Sequence, residues 1–217
     1  MNTAHRLLAI APLVAFFFCG SVQAQDSRFE AGLRLNVLVA DGEPTNDMPG
    51  AGAFGRYRLS DRWRFGFALD HSPEFDVERP YEFIGLVGAA SAGEIDAKGT
   101  STSFLAWIER VYERPGGRLE WFWGLGAGIA TVDVEDVAGP LEGGGTYDIT
   151  QEVGTELLAS ASAGLRWRFA RRWALEAALR LDQHFTDWAL TDRVSGRTGT
   201  LDDYLAQGAH FGLAYSF

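Results

Sequence analysis

Hydrophobic and polar residues alternate along most of the chain, in eight separate segments. The clearest segment, 63–70, has Trp63, Phe65, Phe67 and Leu69 on one face and Arg64, Gly66, Ala68 and Asp70 on the other. Strand side chains repeat every two residues, whereas the helical period of 3.6 would mix these two faces. The pattern therefore predicts strands. Their approximate ranges are 29–37, 53–59, 63–70, 102–113, 120–129, 157–169, 173–182 and 205–217.

The fourth segment, 102–113, has two candidate apolar faces. One contains Phe104, Ala106 and Ile108, and the other contains Leu105, Trp107 and Val111. A bulge in the middle of the segment would shift the phase from one face to the other. The orientation of this strand stays open, and with it the position of Glu109.

The two faces of the predicted strands favour a membrane barrel over a soluble sandwich. One face is almost wholly Leu, Ala, Phe, Val and Trp, as expected for contact with lipid. The other face combines small residues with Arg, Glu and Asp, which suits a narrow lumen filled by side chains. On this basis Ala68 is expected to lie in a polar interior near Asp70, Glu120 and Glu176.

Connection lengths predict the topology. The connections at 60–62, 114–118 and 170–172 are short, and those at about 39–50, 71–101, 133–156 and 186–203 are long. Short turns on one side, long loops on the other and an even strand count are typical of transmembrane barrels. We therefore predict an all-β fold, an eight-stranded antiparallel up-and-down transmembrane β-barrel with both chain ends in the periplasm. Aromatic residues near the short turns support this topology, because Trp and Tyr favour the membrane–water interface. They are Tyr57, Trp63, Trp121, Trp167, Phe169, Trp173, Tyr215 and Phe217.

The first 24 residues have the organisation of a secretory signal peptide. His5 and Arg6 precede an apolar run of twelve residues, and Val22-Gln23-Ala24 has the small-x-small form of a cleavage site. Twelve apolar residues are too few to span a bilayer core of about 30 Å. We therefore expect a signal peptide at 1–24 and the barrel domain at 25–217. The one cysteine, Cys19, lies in the signal peptide, so no disulfide is expected.

The last strand carries the most specific signature. Residues 209–217 end in Phe217, with an aromatic or apolar residue at every second position before it. With the signal peptide and the eight strands, this resembles the small eight-stranded outer-membrane β-barrels of Gram-negative bacteria, the OmpA-transmembrane-domain and OmpX-like group. The resemblance implies export to the bacterial outer membrane. It also implies as partners the outer-membrane lipid and lipopolysaccharide, and the barrel-assembly machinery and periplasmic chaperones during biogenesis. It does not imply one function, because members include structural proteins, adhesins, narrow pores and lipid-modifying enzymes.

Charged residues on the inward faces have two interpretations, an ion path or an internal plug. An eight-stranded barrel has an interior only wide enough for side chains. Charges of both signs favour the plug, since buried charges need partners. The expected inward charges are Glu30, Arg34, Arg56, Arg58, Arg64, Asp70, Glu109, Glu120, Arg166, Arg168, Glu176, Arg180, Asp182 and His210.

The stretch His184-Phe185-Thr186-Asp187 is the one candidate for catalysis. It is similar to the His-x-Ser-Asn stretch of outer-membrane lipid A deacylases, whose chemistry needs a nucleophile, a base and a carboxylate that orients the base. Here Thr186 stands at the nucleophile position, and downstream of His184 only Asp192, Asp202 and Asp203 offer a carboxylate. The predicted phase also turns His184 towards the lumen. We interpret it as a histidine at the rim, and predict that the protein is not an enzyme.

Charge and composition reduce the number of functions that the chain could have. A net charge of −10 with Lys98 as the one lysine argues against nucleic acid as a partner. The predicted loop 133–156 has seven carboxylates and no Lys or Arg, as expected for a solvated cell-surface loop. No catalytic, cofactor-binding or metal-ligating residue is predicted, and no cofactor. We expect a structural or surface-interaction role, with a plugged lumen and any extracellular ligand contacting the acidic loops. A narrow porin-like channel and a lipid A-modifying enzyme are the alternatives.

Overall fold

A computed structural model describes residues 28–41, 47–80, 94–113, 117–140, 145–152, 154–200 and 203–217. The predicted signal peptide lies outside these residues. The described residues form twelve strands. They are β1 (Phe29–Asp41), β2 (Asp47–Arg58), β3 (Trp63–Pro80), β4 (Glu94–Glu113), β5 (Leu119–Val134), β6 (Val137–Pro140), β7 (Thr146–Glu152), β8 (Thr155–Arg168), β9 (Trp173–Phe185), β10 (Ala189–Asp192), β11 (Thr198–Thr200) and β12 (Tyr204–Ser216).

Eight of these strands close into a barrel, as predicted. The order around the barrel is β1-β12-β9-β8-β5-β4-β3-β2, and each neighbouring pair is antiparallel. Closure is made by β1, which pairs with β2 on one side and with β12 on the other. The barrel therefore leaves no unpaired strand edge in its wall, which a lipid environment requires. Within the described part of the chain, no helix is long and apolar enough to cross a membrane.

The predicted inward and outward faces are confirmed, and the structure decides the phase of the fourth strand. In β4, Glu109 and Val111 are buried in the lumen, whereas Phe104 and Ile108 are exposed on the outer surface. The pairing of β4 with β5 runs without a register shift. The irregularity lies instead in β3, between Ser72 and Phe75. The bulge considered for the middle of the fourth strand is therefore absent from the described pairing.

The outer surface of the barrel is an apolar belt with aromatic residues at the short-turn end. Leu33, Leu179 and Phe211 are each more than 60% exposed, as expected for side chains that contact lipid. Neighbouring rings contact each other at the short-turn end, for example Trp173 with Tyr215, whose centroids are 5.0 Å apart. The predicted aromatic girdle is therefore present.

The long connections contain structure that the sequence did not predict. Strands β6, β7, β10 and β11 form a separate four-stranded sheet in the order β11-β10-β7-β6, built from the predicted loops 133–156 and 186–203. Strands β3 and β4 also extend into the predicted second loop. The prediction of plain loops is wrong here because these strands are short and polar. The central pair, β7 with β10, also joins segments about 40 residues apart, which local alternation does not reveal.

Candidate functional site

The lumen near the short-turn end is filled by a cluster of three arginines and three glutamates. Arg166, which has no exposed side-chain surface, donates to Glu176 Oε2 at 2.9 and 3.0 Å, to Glu109 Oε1 at 3.0 Å and to Glu120 Oε2 at 3.2 Å. Arg56 donates to Glu176 Oε1 at 2.5 Å, and Arg64 donates to Glu120 Oε2 at 2.8 Å. The three positive and three negative charges balance, which burial in a low-dielectric interior requires.

A second ion-pair cluster lies in the lumen nearer the extracellular end. The Arg34 guanidinium contacts both carboxylate oxygens of Asp70, with Nε donating to Oδ1 at 2.8 Å. Arg180 bridges two carboxylates, since its Nη1 donates to Asp70 Oδ2 at 2.9 Å and its Nε donates to Asp182 Oδ1 at 2.8 Å. This cluster is also neutral. Together the two clusters contain most of the predicted inward charges.

Apolar side chains close the space between the charged groups. Phe54, Leu105, Trp107 and Ala68 form a buried cluster inside the barrel, and Arg56 stacks over the Phe54 ring at 4.4 Å. Inward glycines make room for these rings, because a Cβ at Gly66 would overlap the Trp107 indole. The enclosed cavity among the arginines has a volume of about 20 Å³, enough for a single water molecule. Ala68 is therefore inward, as predicted, but the prediction that its surroundings are polar is wrong.

The remaining predicted inward charges differ in exposure. Arg168 is one-third exposed and contacts Glu120 and Glu113. Arg58 is half-buried, and Glu30 is buried near Ser216, whose hydroxyl donates to Glu30 Oε1 at 3.4 Å. His210 is buried beside the first cluster and contacts Glu176 Oε1 through Nε2 at 2.9 Å. Arg168 thus extends the first cluster to the end of the barrel.

The extracellular end of the lumen is apolar, with one buried Glu–His pair. Met48, Phe75, Ala97, Val132, Val134, Trp188, Tyr204 and Ala206 form a hydrophobic core across the barrel. His184 Nδ1 lies 2.8 Å from Glu156 Oε2, and the His184 ring stacks on the Tyr204 ring with centroids 4.4 Å apart. The barrel is thus closed above the ion pairs by packed side chains.

The structure places the candidate catalytic stretch in this packed region. His184 faces the lumen and is buried, as predicted, and its carboxylate partner is Glu156 rather than a downstream aspartate. The Thr186 hydroxyl is buried without a hydrogen-bond partner, so it is not activated by His184. Asp203 instead accepts a hydrogen bond from the Thr186 backbone N–H at 2.9 Å. Glu156 lies at the start of β8, next to the predicted strand 157–169, and comes close to His184 through the pairing of β8 with β9, which the order of residues along the chain does not reveal.

Outside the barrel, Asp192 organises the extracellular sheet. Its carboxylate accepts hydrogen bonds from the backbone N–H groups of Asp148, Val194 and Ser195, at 3.0 to 3.2 Å. Desolvation acts against the charged form, but these hydrogen bonds prevail and lower the pKa of Asp192 to about 2. Gly196, with φ of 71°, allows the tight turn that follows. Asp192 thus joins the β10–β11 hairpin to β7.

Ion pairs connect several charged residues of the described extracellular segments. Arg193 lies 3.5 Å from carboxylate oxygens of both Asp136 and Asp148, and Lys98 contacts Glu74 and Asp76. Among the residues that the structure describes, no three His, Cys, Asp or Glu side chains are grouped so as to hold a metal ion.

Comparison with known proteins identifies the fold. No protein-family model matches the chain, and no curated protein sequence matches it. The solved structures that are similar to it include the following three. Neisserial surface protein A has 11% identity and a TM-score of 0.55, over 88% of this chain and 98% of that chain. OprG from Pseudomonas aeruginosa has 11% identity and a TM-score of 0.57, over 87% of this chain and 95% of that chain. A major outer membrane protein from Thermus thermophilus has 12% identity and a TM-score of 0.55, over 86% of this chain and 99% of that chain. The fold is that of outer-membrane β-barrels, which agrees with the predicted location.

Proposed function

We propose that this chain is an integral outer-membrane β-barrel protein that does not conduct, with a structural and surface-interaction role. The observation that carries the proposal is the filled lumen. Two neutral ion-pair clusters, the rings of Phe54 and Trp107 and the core around Trp188 follow one another along the barrel axis. Because these groups are hydrogen-bonded or closely packed, opening a path would separate several buried charges at once.

Contact with lipid is supported by the outward face of the barrel. Apolar and aromatic residues, mainly leucine, alanine, phenylalanine and tryptophan, predominate on this face, and the aromatic girdle lies at one end of it. A water-soluble barrel would expose far less continuous apolar surface. The similar solved proteins are surface or outer-membrane proteins, which supports the same placement.

The extracellular sheet is the part of the chain best suited to contact other molecules. Val137 of β6 packs against the core that closes the barrel, and Asp192 connects β7 to the β10–β11 hairpin. The sheet is therefore held in a defined position over the barrel, and β6 and β11 form its two edges. A rigid platform of this kind lowers the entropic cost of binding a partner.

Two features argue against the alternatives. A porin-like channel needs a continuous aqueous path, and the cavity among the luminal arginines has room for about one water molecule. A lipid A-modifying enzyme needs an activated nucleophile that reaches lipid, whereas His184 faces the lumen and Thr186 makes no hydrogen bond through its hydroxyl.

Two assays test this function. Proteoliposomes containing the purified protein should not swell in small sugars faster than protein-free vesicles, and rapid swelling would contradict the plugged lumen.

For the surface role, cells producing the full chain are compared with cells producing a barrel in which a short turn replaces β6 and β7. We expect adhesion or aggregation to change while envelope permeability and the acyl pattern of lipid A stay the same. A changed acyl pattern would favour the enzyme instead.

A further inference from the structure

Arg110 is an arginine on the outer face of the barrel. Its neighbours Glu109 and Val111 are buried in the lumen, so the alternation of β4 turns Arg110 outward. Its cross-strand partners on that face are Trp63 of β3 and Trp123 of β5. The nearby outward positions on these strands are otherwise apolar or aromatic. A charge here is costly in lipid unless it finds a partner.

Aromatic rings surround the Arg110 guanidinium. Its centre lies 5.6 Å from the centroid of the Trp63 ring and 5.3 Å from that of the Tyr112 ring. These rings are fixed in turn, since Trp63 contacts Trp123 edge-on at 6.2 Å and Tyr112 stacks on Trp121 at 4.0 Å. Flanking rings hold a guanidinium plane in one orientation and leave its N–H groups free to bind another molecule.

The Nε of Arg110 is buried and has no hydrogen-bond partner among the described residues. None of the ion pairs between described residues involves Arg110 either. A buried guanidinium nitrogen without an acceptor is unusual, because its burial carries a desolvation cost that no hydrogen bond offsets. At the depth of the aromatic girdle, the acceptors available outside the protein are lipid headgroups and interfacial water.

The charge of the barrel rim indicates which headgroups are favoured. Backbone hydrogen bonds connect the short turns to the next strand, as from Val111 N–H to the Arg62 carbonyl at 2.9 Å. Among the described residues, seven arginines lie at this end of the barrel. They are Arg28, Arg58, Arg62, Arg118, Arg168, Arg171 and Arg172. Asp61 and Glu113 are the exposed acids among the described turn residues. The extracellular end is mainly acidic instead. Anionic lipid is therefore attracted to the periplasmic end.

We propose that Arg110, Trp63 and Tyr112 form a binding site for the phosphate of an anionic phospholipid in the periplasmic leaflet. The planar guanidinium donates to the phosphate oxygens, the geometry in which arginine binds phosphate most strongly. The arginine ring at the rim raises the local concentration of anionic lipid. This inference rests on the membrane placement but not on the closed lumen, because Arg110 points away from the lumen.

The test is native mass spectrometry of the full chain in detergent, titrated with phosphatidylglycerol or phosphatidylcholine. Wild type should bind phosphatidylglycerol more strongly, and Arg110→Gln should weaken that binding about fivefold. The matched control is Arg171→Gln, which removes an equal charge from an exposed turn and should change binding less than twofold. Gel mobility without boiling confirms that each variant is folded. If Arg110→Gln does not fold, Arg110→Lys keeps the charge, loses the planar fork and should still weaken binding.

Three results would overturn the site. Equal losses in Arg110→Gln and Arg171→Gln would mean diffuse attraction by the rim. Competition by soluble glycerol phosphate at the same concentration would mean a site for free anions rather than for lipid. Co-sedimentation with peptidoglycan that depends on Arg110, without a preference for phosphatidylglycerol, would assign the residue to the cell-wall polymer. Swelling of proteoliposomes concerns only the closed lumen, so the two proposals can fail separately.

Discussion

Arg166 and Glu176 lie directly opposite each other on β8 and β9, and two nitrogens of the arginine donate to the same carboxylate oxygen, at 2.9 and 3.0 Å. Cross-strand neighbours of opposite charge stabilise a sheet. Here the pair is also linked to the next two strands, because Arg166 reaches Glu120 on the adjacent β5 and Glu109 on β4, one strand further along. A single guanidinium thus holds together three buried carboxylates.

Removing this guanidinium should destabilise the barrel strongly. Arg166→Met leaves three buried glutamates short of a partner, and we expect the free energy of unfolding to fall by about 3–5 kcal/mol. Arg171→Met, on an exposed turn, should change it by less than about 0.5 kcal/mol. Urea titration of both variants in lipid vesicles measures the difference. Similar stability for the two variants would mean that the ion-pair cluster does not hold the barrel together.

The two faces of β8 should respond differently to the same substitution. Ala161 faces outward in the middle of the apolar belt, and an aspartate there should lower stability by about 1–2 kcal/mol, less than the cost of arginine at the bilayer midplane. Ser162 faces the lumen opposite Arg180. Ser162→Asp places the same carboxylate beside a guanidinium, so its cost should be smaller. A larger loss for Ser162→Asp in urea titration would contradict the assigned faces.

Asp192 should make the extracellular sheet sensitive to acid. Its folded pKa of about 2 lies below its ordinary value of 3.8, so its charge stabilises the sheet above pH 3.8. That contribution should be lost as the pH falls from about 3.8 to about 2. Asp192→Asn should remove the same stabilisation at neutral pH and increase protease cleavage near 193–197, with the barrel still resistant. The control is Asp187→Asn, an exposed carboxylate, and equal cleavage in both variants would contradict this role for Asp192.

Phe217 should be needed for insertion into the outer membrane. Its ring lies 5.7 Å from the Phe29 ring and 5.2 Å from the Tyr215 ring, where β12 closes the barrel against β1. Phe217→Ser should reduce the outer-membrane abundance of the protein and expose it to periplasmic proteases. Ser216→Ala, at the neighbouring inward position, should assemble normally. Fractionation and immunoblotting compare the two variants, and equal abundance would mean that the terminal aromatic residue is not needed for assembly.

Alternation was enough to predict the barrel because one face of each strand meets lipid and the other meets side chains. Alternation did not determine the inward face of β4, because Leu105, Trp107 and Val111 face inward and both faces of this strand are therefore apolar. For the same reason the outward position of Arg110 was not predicted. Which face of such a strand points inward depends on the strands beside it, and that information is not local.

The ion-pair network shows the same division between local and non-local information. Inward positions of Arg166 and Glu176 followed from their strands, but their pairing required the register between β8 and β9. The pair Glu156–His184 joins residues 28 positions apart, and the sheet of β6, β7, β10 and β11 consists of strands of three to seven residues. Short polar strands leave little periodic signal, so their pairing appears only in the folded chain.

Single-channel recording in a planar bilayer tests the central claim, the closed lumen, most directly. Purified, folded wild-type protein should give no stable conductance steps, while a wide porin inserted in the same membrane serves as the positive control. The prediction follows from the packed charges around Arg166 and the core around Trp188. Reproducible conductance steps from the wild-type barrel, altered in size or ion selectivity by Arg166→Met, would contradict it.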